Sequence, residues 1–459
     1  MAESPNITTE PYRPRLVAST GDIYQTSITE SHIREEVALN GIIGNGLNYR
    51  DTIGPKANRP NSNVFRSVEW TPDGSSLIAV TEDNCIRTFI APPTLLTSPT
   101  PNQLTPYSIS PLPSTPYTTS LYPFFHLQNP STALLLTSLH SQPIHLRSLL
   151  YPHIAATYPL IHPTTEKYLV PNSLSWTTGG THFLAGTDSE IHLFDISRYN
   201  SGPLATYPTG KKRKRFTPSI MHSNNTTSRT ENVRSLISTL AVHNPTDVMA
   251  AGTYSRRIML YSSPYQDGEL ISIINLNSLT HPSSPSTPGR ETKALKEKGN
   301  GVTSLSFDRS GNFIIVVERK SNVVYVFDVR GSMDTPWAIL SGRNAMTNQK
   351  LGVAYASSFG GEVGEGRVDV VVAGGTDGVV RVWEPWRGST EEDGMVSPVE
   401  SFGVAGDPVT SVSVHCSGSV LATSSGERKR LGGGIDDSGD DDEVIGDEVW
   451  DNGVSAWAV

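Results

Sequence analysis

Cysteine is almost missing from this chain of 459 residues, with Cys85 and Cys416 the only two. So few thiols exclude a disulfide framework and a cysteine-rich zinc site, and they favour a reducing compartment. Long apolar runs are missing too. No stretch reaches the 18 apolar residues of a membrane span, and MAESPNITTEPYRPR lacks the basic-then-apolar order of a secretory signal. The chain is therefore expected to be soluble and unsecreted, without a membrane partner. The Asn6-Ile-Thr8 and Asn225-Thr-Thr227 sequons are then expected to stay unglycosylated.

Catalytic signatures are also lacking. There is no G-x-S-x-G, H-E-x-x-H or P-loop, and the glycine-rich Gly360–Gly366 does not join a strand to a helix as a dinucleotide site requires. His126, His140, His145, His153 and His162 fall in one region without cysteine or acidic residues at regular spacing, so they read as turn and strand-face histidines rather than metal ligands. No catalytic residue, cofactor or metal is expected.

The net charge is −9, but Asp436, Asp437, Asp440, Asp441, Asp442, Glu443, Asp447 and Glu448 account for nearly all of it. The rest of the chain is near neutral, so the acidic balance does not exclude a local basic face. The acidic run is not a calcium loop. Counting from Asp436, glycine comes fourth and the twelfth residue is Asp447, whereas an EF-hand needs glycine sixth and glutamate twelfth. It reads as a disordered acidic loop placed to shield the preceding Glu427-Arg-Lys-Arg430.

What is present is a repeat. Val302–Val329 holds three short alternating runs separated by Asp308-Arg-Ser-Gly311 and by Glu318–Asn322, the pattern of half-buried antiparallel strands joined by tight turns. The pattern returns at Val64–Phe89, Ser173–Asp195, Ile237–Tyr261 and Val409–Gly426, the last completed by Asn452–Val459. A degenerate copy spans Ala133–Arg147 and a split one runs from Gly352 through Val368–Glu384. Val68, Leu174, Leu240, Leu305 and Val412 mark the period. Asp195, Asp328 and Glu384 each follow an aromatic at the end of a third strand, a weakened form of the WD dipeptide. The sequence predicts an all-β, seven-bladed WD-repeat β-propeller.

Residues 1–62 read as mostly disordered, except that residues 14–19 supply a strand closing the ring, because the C-terminal GVSAWAV leaves no fourth strand for the last blade. The propeller spans 63–459, with inserts at 91–119, 198–232, 263–301 and 427–450. The Pro/Ser/Thr-rich first insert reads as a surface loop between blades 1 and 2. The run Lys211, Lys212, Arg213, Lys214 and Arg215 reads as a nuclear-import signal.

The segments Phe65–Asp83, Ser141–Leu146, Tyr158–Leu174, Thr347–Lys350 and Ser411–Arg428 resemble the telomerase Cajal body protein 1 family of WD-repeat proteins, in a fungal-type form. The most specific pieces are connections rather than strands. The resemblance implies a non-catalytic scaffold that binds small Cajal-body RNA or telomerase RNA, with ribonucleoprotein proteins as partners and a link to pre-mRNA splicing. It also implies nuclear localisation, with some cytoplasmic pool, and the protein is expected to act as a monomer. Candidate RNA-binding residues, expected on connections, are Arg147, Tyr158, His162, Lys167, Tyr168, Asn348, Lys350, Arg428, Lys429 and Arg430, the basic and aromatic types that contact phosphates and stack on bases. The alternative is a protein-only interaction platform resembling G-protein β subunits.

Overall fold

The computed structural model describes residues 14–21, 24, 63–151, 153–209, 233–263, 268–279, 299–331, 333–357, 359, 369–385, 395–427 and 452–459. They form seven antiparallel sheets and no α-helix. Each of six blades is a meander whose strands run in chain order from the innermost to the outermost. Blade 1 contains Phe65–Trp70, Ser76–Thr81, Cys85–Ile90 and Pro106–Pro111; blade 5 contains Val302–Phe307, Phe313–Glu318, Val324–Asp328 and Ala338–Leu340. The predicted fold is borne out.

The seventh blade is built from both ends of the chain. Val409–Val414, Val420–Ser425 and Val454–Ala458 supply three strands, and Arg15–Ser19 pairs antiparallel with the third, Ala18 opposite Ala456. Beyond that strand, the Thr20 amide donates to the Val454 carbonyl at 2.9 Å and the Val454 amide donates to Thr20 Oγ1 at 2.9 Å. Val17 and Ala18 are buried among Phe65, Leu77 and Val454. The clasp therefore adds apolar burial as well as ladder bonds, and closure removes the exposed edges an open array would leave.

The core lies between blades. Seven apolar clusters each join two neighbouring sheets, and together they run once around the ring. Alternating positions of each sheet face opposite neighbours, which is why the strands read as period-two patterns. Buried ion pairs accompany the packing. Arg87 donates to both carboxylate oxygens of Asp83 (2.9 and 2.7 Å) and from Nε to the Tyr24 hydroxyl (3.1 Å), with Thr81 completing the group.

The structure draws several boundaries differently from the sequence reading. The Pro/Ser/Thr-rich stretch is not a free loop. Pro106–Pro111 is the outermost strand of blade 1, where proline is tolerated because one strand edge has no partner. Asn102–Gln103 adds a parallel fifth strand to the Arg15–Ser19 clasp, and Arg15 donates to the carbonyls of Leu96 (2.8 Å) and Ser98 (3.0 Å). Blade 2 starts at Thr118–Leu121, ahead of the degenerate copy expected at Ala133. Ala205–Pro208 and Leu270–Asn275, inside stretches read as inserts, are the fourth strands of blades 3 and 4. The acidic run Asp436–Glu448 lies outside the described residues.

Candidate nucleic-acid interface

Strand order fixes which connections share a face. In a four-stranded meander the turn between strands two and three and the connection to the next blade fall at one end; the other two turns fall at the opposite end. Neighbouring inner strands run the same way. Ser173 Oγ donates to the Ile237 carbonyl (3.0 Å), Ser238 Oγ to Val302 (2.5 Å), the Gly352 amide to Thr410 (2.8 Å) and Ser411 Oγ to Val68 (3.1 Å). Each of these bonds joins the inner strands of two neighbouring blades, the first three at their leading ends. The opposite, lower face has its own ring of contacts, including Leu127 amide to Asp73 (2.9 Å), Thr178 amide to Asp247 (2.9 Å) and Arg309 amide to the Tyr355 hydroxyl (3.0 Å).

The upper face thus receives the turn at 139–143, the connections 159–172 and 341–352, and the chain leaving blade 7 at Gly426. These are the segments that carried the sequence resemblance. His162, Lys167 and Tyr168 stand on the connection between blades 2 and 3. Tyr168 and Lys167 are exposed, and His162 Nδ1 accepts from the Thr164 and Thr165 amides (both 3.2 Å), which shapes the turn that presents them. Ile161 bridges to Tyr168 across it. Asn348 and Lys350 are exposed on the connection between blades 5 and 6.

Two expected residues are not on connections. Arg147 lies in the third strand of blade 2 and is buried; Nε donates to Thr137 Oγ1 (3.2 Å) and Nη2 meets His145 Nδ1 (3.2 Å). Tyr158 ends the fourth strand fully buried. Its hydroxyl donates to the Ile196 carbonyl (2.9 Å) and its ring packs edge-on against Phe183 and Phe194. Burial pushes Tyr158 up to about 12 and Arg147 down to about 10. Tyr158 belongs to the core between blades 2 and 3, Arg147 is enclosed against Thr137 and His145 of its own blade, and neither has surface to offer a ligand. Arg428, Lys429, Arg430 and Lys211–Arg215 lie outside the described residues.

The connection 341–352 is firmly held. Arg343 is buried and donates from Nε to the Gly374 carbonyl (3.0 Å) and from Nη2 to Leu351 (3.3 Å). Asn322 Oδ1 accepts from the Ala345 amide (2.9 Å), and Gln349 Nε2 donates to the Gly426 carbonyl (3.2 Å). The last bond ties this connection to the point where the chain enters Glu427-Arg-Lys-Arg430. Lys350 is solvent-accessible, yet surrounding protein and then the Arg319 guanidinium lower its pKa.

Sequence reasoning missed Tyr254 and Arg319. They belong to the second turns of blades 4 and 5, and the guanidinium lies over the ring, 5.4 Å from its centroid. The link is made by Gly301: the Arg319 amide donates to its carbonyl (3.0 Å). Its φ is +91°, and a Cβ there would sit 2.9 Å from the Tyr254 backbone, so only glycine allows the approach. The one signal in the sequence was Gly299-Asn-Gly301 before the cleanest repeat.

A closed ring of seven blades, each built on a four-stranded antiparallel meander, defines a WD-repeat-type propeller. No family model matches the sequence. The chain is 29% identical over 332 residues to guanine nucleotide-binding protein negative regulator 1 of Schizosaccharomyces pombe, covering 70% of each chain. It is 24% identical over 387 residues to human telomerase Cajal body protein 1, covering 84% of this chain and 60% of that one. It is 24% identical over 311 residues to Protein SWT21 of Zygosaccharomyces rouxii, covering 66% and 64%. The resemblance to telomerase Cajal body protein 1 and fungal relatives is thereby borne out, although the chain spans only about 60% of the length of the human protein. No helix among the described residues is long and apolar enough to cross a membrane, and no group of three metal-type ligands occurs among them.

Proposed function

We propose that the protein is a non-catalytic nuclear scaffold that holds a small ribonucleoprotein RNA against the upper face of its propeller. The observation that carries this reading is the convergence on one face of the connections bearing His162, Lys167, Tyr168, Asn348 and Lys350, with Gln349 fastened to Gly426. Gly426 leads by one residue into Arg428, Lys429 and Arg430. Basic and aromatic side chains on firmly held connections suit a single-stranded RNA loop, whose phosphates and splayed bases they contact. The similarity to telomerase Cajal body protein 1 supports small Cajal-body or telomerase RNA as the ligand class, ribonucleoprotein proteins as partners, and a supporting role in splicing. The scaffold acts as a monomer, enters the nucleus through Lys211–Arg215, and leaves a cytoplasmic pool.

A second reading is favoured by the relative named as a negative regulator of a guanine nucleotide-binding protein: the same face binds only protein, as G-protein β subunits do. Crosslinking in cells followed by sequencing of bound RNA separates the two. The scaffold reading expects strong enrichment of a few small structured RNAs; recovery in proportion to transcript abundance overturns it.

A further inference from the structure

Several arginines of this propeller are held by acids. Arg87 is matched by Asp83, Arg256 by Glu318, Arg330 by Asp328 and Arg381 by Asp377. Arg319 and Lys350 break the pattern. The turn that begins with Arg319 holds the connection that carries Lys350, through the Ala345 amide on Asn322 Oδ1 (2.9 Å), and neither cation forms an ion pair among the described residues. Arg319 Nε is buried and has no hydrogen-bond partner among the described residues, which costs free energy. The neighbouring acid is not available. Glu318 accepts both Nε (2.6 Å) and Nη2 (2.9 Å) of Arg256, so its charge is already spent on another blade's arginine.

Arg319 borders an accessible aromatic ring. Tyr254 keeps 38% of its surface exposed, and the guanidinium carbon lies over its ring, 5.4 Å from the centroid. Stacked arginine on tyrosine makes a π-platform edged with positive charge. A carboxylate partner would need the charge but not the platform. A nucleotide uses both, because its base stacks while its phosphate is neutralised.

We propose that Tyr254, Arg319 and Lys350 form a subsite for one nucleotide of a single-stranded RNA segment. The base stacks on the Arg319–Tyr254 platform, and the adjoining phosphate sits between the Arg319 guanidinium and the Lys350 ammonium. The inference rests on the RNA-scaffold reading and names the position at which the upper face grips the chain. It places the grip at the junction of blades 4, 5 and 6, beside the connection that Gln349 ties to Gly426.

The test uses the full chain and a fluorescent oligouridine, with an acidic peptide of the same length as control. Tyr254→Ala is expected to weaken oligouridine binding about tenfold, and Tyr254→Phe to leave it within about twofold, as base–aromatic stacking requires. Lys350→Ala is expected to lower the slope of log affinity against log salt by about 0.7, the loss of one single-strand phosphate contact. Arg319→Lys keeps the charge without the plane, so it retains the salt slope and loses affinity. Thermal melting of each variant separates a binding loss from unfolding. If the wild type binds oligouridine but Tyr254→Ala and Lys350→Ala bind as well as it does, the subsite is overturned and the scaffold reading stands. If the wild type binds no RNA above the peptide control, both fall. Preferential, Tyr254-dependent binding of the acidic peptide overturns the ligand class.

Discussion

Arg256 and Glu318 form a bidentate pair, Nε to Oε1 at 2.6 Å and Nη2 to Oε2 at 2.9 Å, that bridges blades 4 and 5 beneath the Tyr254–Arg319 platform. Both side chains are nearly excluded from solvent. The pair does two things: it fixes the second turns of adjacent blades, and it leaves Arg319 without an acid. Arg256→Ala is expected to destabilise the fold by about 3–5 kcal/mol, because it strands a buried carboxylate. The paired replacement of Arg256 by Met and Glu318 by Leu should cost much less. Urea denaturation of the three proteins checks both.

The clasp makes ring stability depend on residues near the start of the chain. Ala18 is fully buried opposite Ala456, and an aspartate there would place an unpaired charge in the blade 7 core. Ala18→Asp is expected to cost about 3 kcal/mol or more and to expose the first strand to protease. Limited proteolysis followed by N-terminal mapping reads this directly. Cleavage at the wild-type rate would show that Arg15–Ser19 contributes little to closure.

Two sets of titrating groups pull stability in opposite directions. Burial lowers His145 to about 4, helped by Arg147, and lowers His192 to about 4 although Glu190 stands 3.8 Å away. Both are neutral in the fold, so the unfolded chain binds more protons between their ordinary value near 6.5 and 4. Stability is lost as pH falls through that window, by at most about 3 kcal/mol for each histidine. Glu69 has the reverse sign. Burial raises it to about 7, although its side chain keeps solvent access, so the folded protein holds a proton the unfolded chain releases above about 4.5. Its contribution falls as pH rises from 4.5 to 7. Glu69→Gln should therefore raise the melting temperature at pH 8 and leave it unchanged at pH 4. Melting curves at the two values decide; an equal gain at both would contradict the assignment.

How much of this was legible beforehand varies with depth in the sheet. Inner, second and third strands are packed on both faces, and their alternation with Gly- and Asp-rich turns announces them, as in Val302–Val329. The outermost strands are half-solvated edges. Ala205–Pro208 and Glu400–Gly403 alternate only between half-buried and exposed positions, so their composition looks like loop. The clasp was readable only because the C-terminal strand implied a missing partner. At the candidate face, the connections stood out as irregular pieces between repeats, and they do share one end. Arg147 and Tyr158 misled because residue type does not reveal whether a cation or an aromatic faces a neighbouring blade. Tyr254 and Arg319 are 65 positions apart, and only the packing of blade 4 on blade 5 brings them together.

The basic segments outside the described residues make separable predictions. Replacing Arg428, Lys429 and Arg430 with alanine should weaken RNA binding and lower the single-strand salt slope by about 2, without shifting the melting temperature. Deleting Lys211–Arg215 should move the protein toward the cytoplasm while leaving RNA binding in vitro intact. Imaging and fluorescence anisotropy on the same two variants show whether import and binding are distinct.

The central claim is that the upper face, and not the lower, is the RNA interface. Hydrogen–deuterium exchange with and without bound small nuclear RNA tests it most directly. The account predicts slowed exchange in 159–172, 252–256, 299–301, 317–322 and 341–352, with 71–75, 177–181, 243–248 and 308–312 unchanged. Protection confined to that second set, or none on either face despite saturated binding, would contradict it.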